Sequence, residues 1–263
     1  MGTDKYLYGI DFGTSNSAVS IFDTEQNRII DTITVSSLLY FSNFQEAGEP
    51  LKYFVGKEAV TEYIKEGMKG RFMKSIKRVL PRSSFSETRI FSQRMTASDL
   101  VTLVLKELKE KADALIGESC TKAVIGRPVF FDDDDDEKDA LAQTRLLKAV
   151  EMAGFTNVRF QYEPIAAAYA YEKSITSKEK VLVADLGGGT TDFTFIELDP
   201  NSKKNTDRRK DIFATGGVYV GGDSFDSSFM YDKGTPHFGR GVMYESSPGK
   251  FLDLPLSLFT NIC

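Results

Sequence analysis

The chain carries one short pattern twice. Gly9-Ile10-Asp11-Phe12-Gly13-Thr14-Ser15-Asn16-Ser17 and Ala184-Asp185-Leu186-Gly187-Gly188-Gly189-Thr190-Thr191-Asp192 share the order apolar strand, aspartate, glycine-rich turn, hydroxyl residues, second strand. Asp11 and Asp185 stand 174 positions apart, a spacing that suits two halves of one site. Glycines in such turns permit positive φ and let backbone N–H groups approach an anion, and Thr14, Ser15, Thr190 and Thr191 add hydroxyl donors, which together fit phosphate. An aspartate ending the preceding strand would sit beside that phosphate, where it can hold a hydrated Mg²⁺ through oxygen. Neither turn is a Walker loop or a dinucleotide fingerprint, because no Gly-Lys-Ser/Thr follows and β-prone residues rather than a helix come next. One Asp-x-Gly-Thr alone fits any strand–turn–strand hairpin; the pair is far more specific.

Composition narrows the chemistry further. A single histidine, His237, nearly excludes histidine-ligated metal sites and a Ser-His-Asp triad, so chemistry falls to carboxylates, hydroxyls, lysines and backbone amides. Two cysteines, Cys120 and Cys263, form no metal spacing and are too few for a disulfide scaffold, so a reducing cytoplasm is expected. With 33 basic against 38 acidic residues, the mild charge of -5 gives no footprint for nucleic acid and no polybasic patch for a membrane surface. No signal-peptide core follows Asp4 and Lys5, and no apolar run approaches the ~18 residues of a membrane span.

Periodicity predicts strands over Tyr6–Ile10, Ala18–Phe22 and Arg28–Val35, then short strands at Leu38–Phe41 and Tyr53–Val55 and a helix over Lys57–Glu66. Thr96 or Ser98 caps a helix with Leu100, Leu103, Val104 and Leu108 on one stripe, ending near Gly117. Strand Lys122–Ile125, helix Glu137–Met152, strand Asn157–Tyr162 and helix Pro164–Lys173 then alternate, and Val181–Asp185 reads as a buried strand. The rhythm predicts an α/β fold with parallel pairing in its sheet. Pro200–Lys210 reads as a hairpin tip. The five aspartates Asp132–Asp136 admit a cation site, but they match no EF-hand spacing, and helix capping at a dipole's positive end suits them better.

The paired loops resemble the ATPase fold shared by actin, hexokinase and the DnaK-type seventy-kilodalton heat-shock chaperones, in which two lobes clamp a nucleotide. Glu163-Pro164-Ile165-Ala166-Ala167-Ala168 is similar to the segment linking the lobes, and Gly221-Gly222-Asp223-Ser224-Phe225-Asp226 to the loop and helix start after the second phosphate hairpin. Bacterial actin-like filament proteins carry similar segments. Ser75-Ile76-Lys77-Arg78-Val79-Leu80 resembles the chaperone Lys-Arg pair and separates the two, although an exposed helix-end lysine would read the same way. Ala123-Val124-Ile125-Gly126-Arg127-Pro128 and the run from Ala153-Gly154-Phe155 to Phe160-Gln161-Tyr162-Glu163-Pro164 are closest to the YegD group of DnaK relatives.

The resemblance implies an actin-like (ribonuclease H-like) α/β fold with a mixed sheet and flanking helices. It implies a first lobe over 1–175, with an inserted subdomain around 36–115, and a partial second lobe over 176–263. It implies a slow Mg²⁺-dependent ATPase whose hydrolysis drives lobe closure, using ATP or ADP, Mg²⁺ and K⁺ as a further candidate cation. Co-chaperones or client proteins are the partners it suggests, with no nucleic acid and no membrane. Asp11 and Asp185 would hold Mg²⁺, with Asp192 supporting the cluster; Gly13, Thr14, Ser15 and Asn16 would bind phosphate from one side, and Gly187, Gly188, Gly189, Thr190 and Thr191 from the other. Gly221 and Gly222 complete that second side. Lys77 would stabilise developing charge, while Glu163, Asp185 and Thr190 orient water or the terminal phosphate. Glu163 read locally is also a carboxylate capping the helix begun at Pro164.

Two substitutions depart from the pattern: Arg127 stands for a valine before Pro128, and Thr191 for a phenylalanine, which implies a different coupling of nucleotide to movement. The resemblance runs from Tyr6 to Met230, and no Gly-Gly segment for adenosine follows it, so a shortened piece of a longer protein is expected. The competing reading is a non-catalytic binding or filament-assembly protein of the same fold. A small-molecule kinase finds no general-base aspartate in the sequence.

Overall fold

The computed structural model describes residues 5–44, 49–132, 134–201 and 208–260. Its main sheet has five strands in the order β10-β9-β1-β2-β3: β1 (Tyr6–Phe12), β2 (Asn16–Asp23), β3 (Arg28–Ser36), β9 (Lys122–Arg127) and β10 (Asn157–Tyr162). β1, β2 and β3 form an antiparallel meander, whereas β9 runs parallel to both β1 and β10. This is the mixed sheet with flanking helices of an actin-like ATPase fold. Parallel neighbours need a crossover, and the helices supply it: α2 (Ala97–Ile116) precedes β9, and α3 (Asp136–Met152) joins β9 to β10.

Between β3 and α2 lie short strands β4 (Leu39–Phe41), β5 (Tyr53–Val55) and β6 (Arg71–Met73), paired in the order β5-β4-β6, the helix α1 (Gly56–Lys65), and the hairpin of β7 (Glu87–Ile90) with β8 (Gln93–Thr96). α2 begins as its sequence dictates. The Thr96 hydroxyl accepts from the Asp99 amide at 3.2 Å while the Asp99 carboxylate accepts from the Thr96 amide at 2.7 Å, and Gly117 ends the helix in the left-handed region. Its apolar stripe of Leu100, Val104, Leu105 and Leu108 is fully buried against Tyr8, Ile10, Phe12, Val19 and Ile21 of the sheet. Asp135 caps α3 by accepting from the amides of Glu137 and Lys138, each at 3.1 Å. The capping reading of the aspartate run therefore holds at Asp135; Asp133 lies outside the described residues.

A second core forms around α4 (Glu163–Glu172), whose Ile165 and Ala168 pack on Ile196 and Leu198 of a three-stranded antiparallel sheet. That sheet has the order β11-β12-β13, with β11 (Glu179–Leu186), β12 (Thr191–Leu198) and β13 (Ile212–Val218). The reading of Val181–Asp185 as a buried strand needs correction. β11 is an edge strand covered on one face only, with Leu182 61% and Leu186 75% exposed. Its continuous apolar run imitates the two-sided burial of a parallel strand, but Val181 and Val183 alone turn toward α4. Most of the expected tip at 200–210 lies outside the described residues.

α4 is tied to this second sheet by a buried bidentate pair, Arg208 Nη1 and Nη2 donating to Glu172 at 3.1 and 2.8 Å, with both side chains 2% exposed. α5 (Gly222–Phe229), the hairpin of β14 (Met243–Ser247) with β15 (Lys250–Asp253), and α6 (Ser257–Thr260) complete the chain. Among the described residues no helix is long and apolar enough to cross a membrane.

Packing and capping contribute to α2 on different scales. Leu105→Ala should cost about 2–5 kcal/mol through lost burial and the cavity left behind, and Thr96→Ala about 1 kcal/mol through the lost cap. Urea unfolding midpoints check the order; equal costs would mean that the cap contributes as much to this helix as the core.

Candidate functional site

Alternation along β1 sends Tyr8, Ile10 and Phe12 into the core and leaves Asp11 on the opposite face, at the floor of a cleft. The turn after it is held by a closed ring of hydrogen bonds. The Gly13 amide donates to Ser17 Oγ at 3.2 Å, and Ser37 Oγ donates to the Gly13 carbonyl at 2.8 Å. Ser37 having spent its proton there, Ser17 donates to Ser37 Oγ across 2.8 Å. Gly13 is thus consumed by geometry, and any side chain there would put its Cβ 2.1 Å from the Asn16 carbonyl oxygen. Among the described residues the amides of Thr14 and Ser15 keep no protein partner and remain for an anion.

The second hairpin follows the same plan. Asp185 and Asp192 are direct cross-strand neighbours in the β11–β12 register, and the turn between them is closed by the Gly187 amide donating to the Thr190 carbonyl at 2.9 Å. From behind, the first amides of α5 grip the loop, Gly222 donating to the Gly187 carbonyl at 3.0 Å and Asp223 to that of Gly188 at 2.8 Å. Gly221 must lack a side chain, since a Cβ would lie 2.6 Å from the Gly187 carbonyl oxygen. The two turns meet: a Cβ on Gly188 would fall 1.9 Å from Ser15 Oγ, and one on Gly189 would fall 3.0 Å from Thr14 Cγ2.

Between them runs a cleft of about 640 Å³. Asp11, Gly13, Thr14, Ser15, Asn16, Lys77 and Glu163 line it from one side, and Asp185, Gly187, Gly188, Thr190 and Asp192 from the other. Gly189, Thr191, Gly221 and Gly222 stand behind this lining. The Thr191 hydroxyl is turned away, donating to the Val220 carbonyl at 2.8 Å.

Lys77 sits on a 3₁₀ turn, Ile76–Val79, and its Nζ donates to Glu163 Oε1 at 2.8 Å, with the two side chains 16% and 18% exposed. It is not a solvated helix-end lysine. Glu163 opens α4 without capping it, because the N-cap Tyr162 receives no side-chain bond and the carboxylate turns to Lys77. Gly126 makes room for it: a Cβ there would be 3.2 Å from Glu163 Cγ. Burial opposes the Lys77 charge, yet Glu163, Asp11 and Asp185 overcome it and raise the ammonium above its ordinary value. Burial also raises Glu163, with Asp11 and Asp185 adding to it against the pull of Lys77. Asp192 is raised by burial and by facing Asp185, although Thr190 Oγ1 donates to it at 2.7 Å.

The donor set suits a phosphate–cation ligand. Unspent amides and hydroxyls flank the cleft, and Asp11 and Asp185 end their strands beside it. Among the described residues no three acidic, cysteine or histidine side chains converge as a closed metal cage. A Mg²⁺ that keeps several waters and binds through one or two carboxylates plus phosphate needs none.

The family model described as Hsp70 protein matches residues 7–232. The chain belongs to the Hsp70 family. Membership carries ATP binding and chaperone-type function in general, with ATP or ADP and Mg²⁺ as the family's ligands and co-chaperones and client proteins as its typical partners. Several cleft residues of this Hsp70-family chain had no signal of their own in the sequence. Arg78 lay inside a quoted motif without a role, while Phe131 and Tyr219, whose hydroxyl donates to the Phe131 carbonyl at 3.3 Å across the cleft, gave none. Arg127, the departure before Pro128, is a buried anchor: Nη2 donates to Asp139 at 2.6 Å and to the Val129 carbonyl at 3.0 Å, Nε to the Pro128 carbonyl at 2.9 Å, and Nη1 to Gln143.

Because folding raises Asp192 above the usual carboxylate range, ionising it costs stability as pH climbs through that range. Asp192→Asn keeps an acceptor for Thr190 and removes the cost. Its stability relative to wild type should therefore rise between about pH 4 and about pH 8, read from urea midpoints at both. An unchanged difference would show that burial does not oppose this charge.

Proposed function

We propose that the chain binds ATP between its two glycine hairpins and hydrolyses it slowly with Mg²⁺, hydrolysis driving the closure of two lobes in a chaperone-type protein of the YegD-like group. The lobes are 1–175, with an inserted subdomain around 36–115, and 176–263. The observation that carries this reading is the meeting of the two turns, Gly188 against Ser15, with the Lys77–Glu163 pair in the same cleft. Phosphoryl transfer to water asks a protein for positioning and charge stabilisation more than for covalent chemistry, which is what oriented amides, hydroxyls and one ammonium supply.

In this reading the amides of Thr14, Ser15 and Gly188 and the side chain of Asn16 hold phosphate oxygens. Lys77, released in part from Glu163, faces the charge that develops on the transferred group. Glu163 and Thr190 orient the attacking water, and Asp192 fixes the Thr190 hydroxyl. Asp11 and Asp185 are the Mg²⁺ ligands; the bound ion supplies charge neutralisation at the phosphate oxygens. Gly187 borders the cleft with its amide spent on the Thr190 carbonyl, and Gly189, Gly221, Gly222 and Thr191 shape the second turn behind it. The cytoplasm is the compartment we assign, in keeping with Cys120 as a free, buried thiol.

Calorimetric titration with Mg-ATP and Mg-ADP, joined to a phosphate-release assay, tests the proposal. Lys77→Ala should keep nucleotide affinity while losing turnover by about 10²–10³-fold, the scale of removing one preorganised charge-stabilising donor. Asp185→Asn should weaken binding only when Mg²⁺ is present. A folded wild-type chain that gives no heat with either nucleotide would overturn the reading.

A further inference from the structure

The segment that carries Lys77 has little structure of its own. From Lys74 to Ser86 it contains one 3₁₀ turn and no strand, so the place of Lys77 depends on what grips the chain around it. Ile76 and Leu80 are buried in the core and set the turn's depth. Its course beyond that is set from one side chain on α3. Arg145 Nη1 lies 3.2, 2.8 and 2.9 Å from the carbonyl oxygens of Val79, Leu80 and Arg82, and Nη2 lies 2.7 Å from that of Phe85.

We propose that Arg145 is a positioning residue for Lys77: by gathering four carbonyls of the irregular segment onto one planar guanidinium, it fixes the turn that delivers the lysine to Glu163. Three observations bear on this. Among the described residues Arg145 has no carboxylate within 4.0 Å, so its donors go to backbone and not to charge. Burial consequently lowers its pKa with nothing to offset it, a cost that an arginine of purely surface function would not carry. Its own backbone is braced, since Ser98 Oγ of α2 donates to the Arg145 carbonyl at 2.9 Å, which ties α3 to the start of α2. The far end of the segment is held independently, Ser75 Oγ donating to Asp223 of α5. Lys77 is thus suspended between two anchors, and Arg145 is the one within its own core.

Lysine cannot replace such a fork, because its three donors radiate from one point, whereas the guanidinium spreads five in a plane. The role assigned here rests on Lys77 acting as proposed above, so the test carries a readout that needs no catalysis. Arg145→Lys and Arg145→Gln are compared with Leu198→Ala, a variant of the second core, which is separate from the one that holds Ile76 and Leu80. The reactivity of the Lys77 amine toward an acylating reagent is measured by peptide mass spectrometry, and ATP turnover is measured beside it. Arg145→Lys should raise Lys77 reactivity several-fold and lower kcat about tenfold or more with KM nearly unchanged, as expected when a reacting group is misplaced but binding is not. Leu198→Ala should change neither at temperatures where it is folded. If Arg145→Lys does not fold, Arg145→Gln decides by the same measures. Wild-type reactivity of Lys77 in a folded Arg145 variant overturns the proposal. A wild-type chain without turnover overturns the ATPase reading instead and leaves the Lys77 labelling to judge Arg145.

Discussion

The two glycine turns can touch only because the second carries no Cβ where Thr14 and Ser15 of the first meet it. A side chain on Gly188 would occupy Ser15 Oγ, and one on Gly221 would occupy the backbone that supports Gly188. This absence of atoms organises everything around it. The aspartates that end β1 and β11 arrive on either side of one cleft because their turns close together, and α5 places its first amides on the carbonyls of the second turn. A site of this kind is assembled by exclusion: small residues at the contact, bulky ones such as Phe12 directed behind it into the core.

Charge is the second organising term. Around the cleft Asp11, Asp132, Glu163, Asp185 and Asp192 stand against Lys77, Arg78, Arg82 and Lys138, so carboxylates slightly outnumber side-chain cations around a cavity that is suited to an anion. The excess is coherent if a divalent cation accompanies the anion, since the carboxylates then have a partner and the phosphates a counter-charge. Lys77 donates to Glu163, and burial raises Glu163 and Asp192. The same few residues therefore explain the perturbed ionisation and the ligand chemistry.

The local grammar of the chain was readable where propensity and tertiary demand agree. Thr96 with Asp99 and Gly117 bound α2 at both ends, and the alternation of β1 placed Asp11 opposite its core residues. Burial of β11 was misread because an unbroken apolar run has the same appearance whether one face or two is covered. Residues that act through backbone groups left no trace: Ser37 closes the Gly13 ring from 24 positions away, and Arg145 reaches Val79 from 66. Spacing rules describe neighbours along a helix or strand, and such contacts exist only once the sheet and the crossover helices are in place. Tyr219 and Phe131 meet for the same reason.

α4 has an ion pair at each end, and the two differ in how water reaches them. Glu172 and Arg208 are almost sealed, and separating them would strand a desolvated charge. Glu163 and Lys77 border an open cleft that can hydrate either partner as it leaves. A helix of 10 residues spans about 15 Å as a stiff rod. α4 touches both sheets, so any parting of the two must break one of its ends, and the end at Lys77–Glu163 is the one that water can reach. The fold has in effect a perforated line, and it passes through a lysine of the cleft.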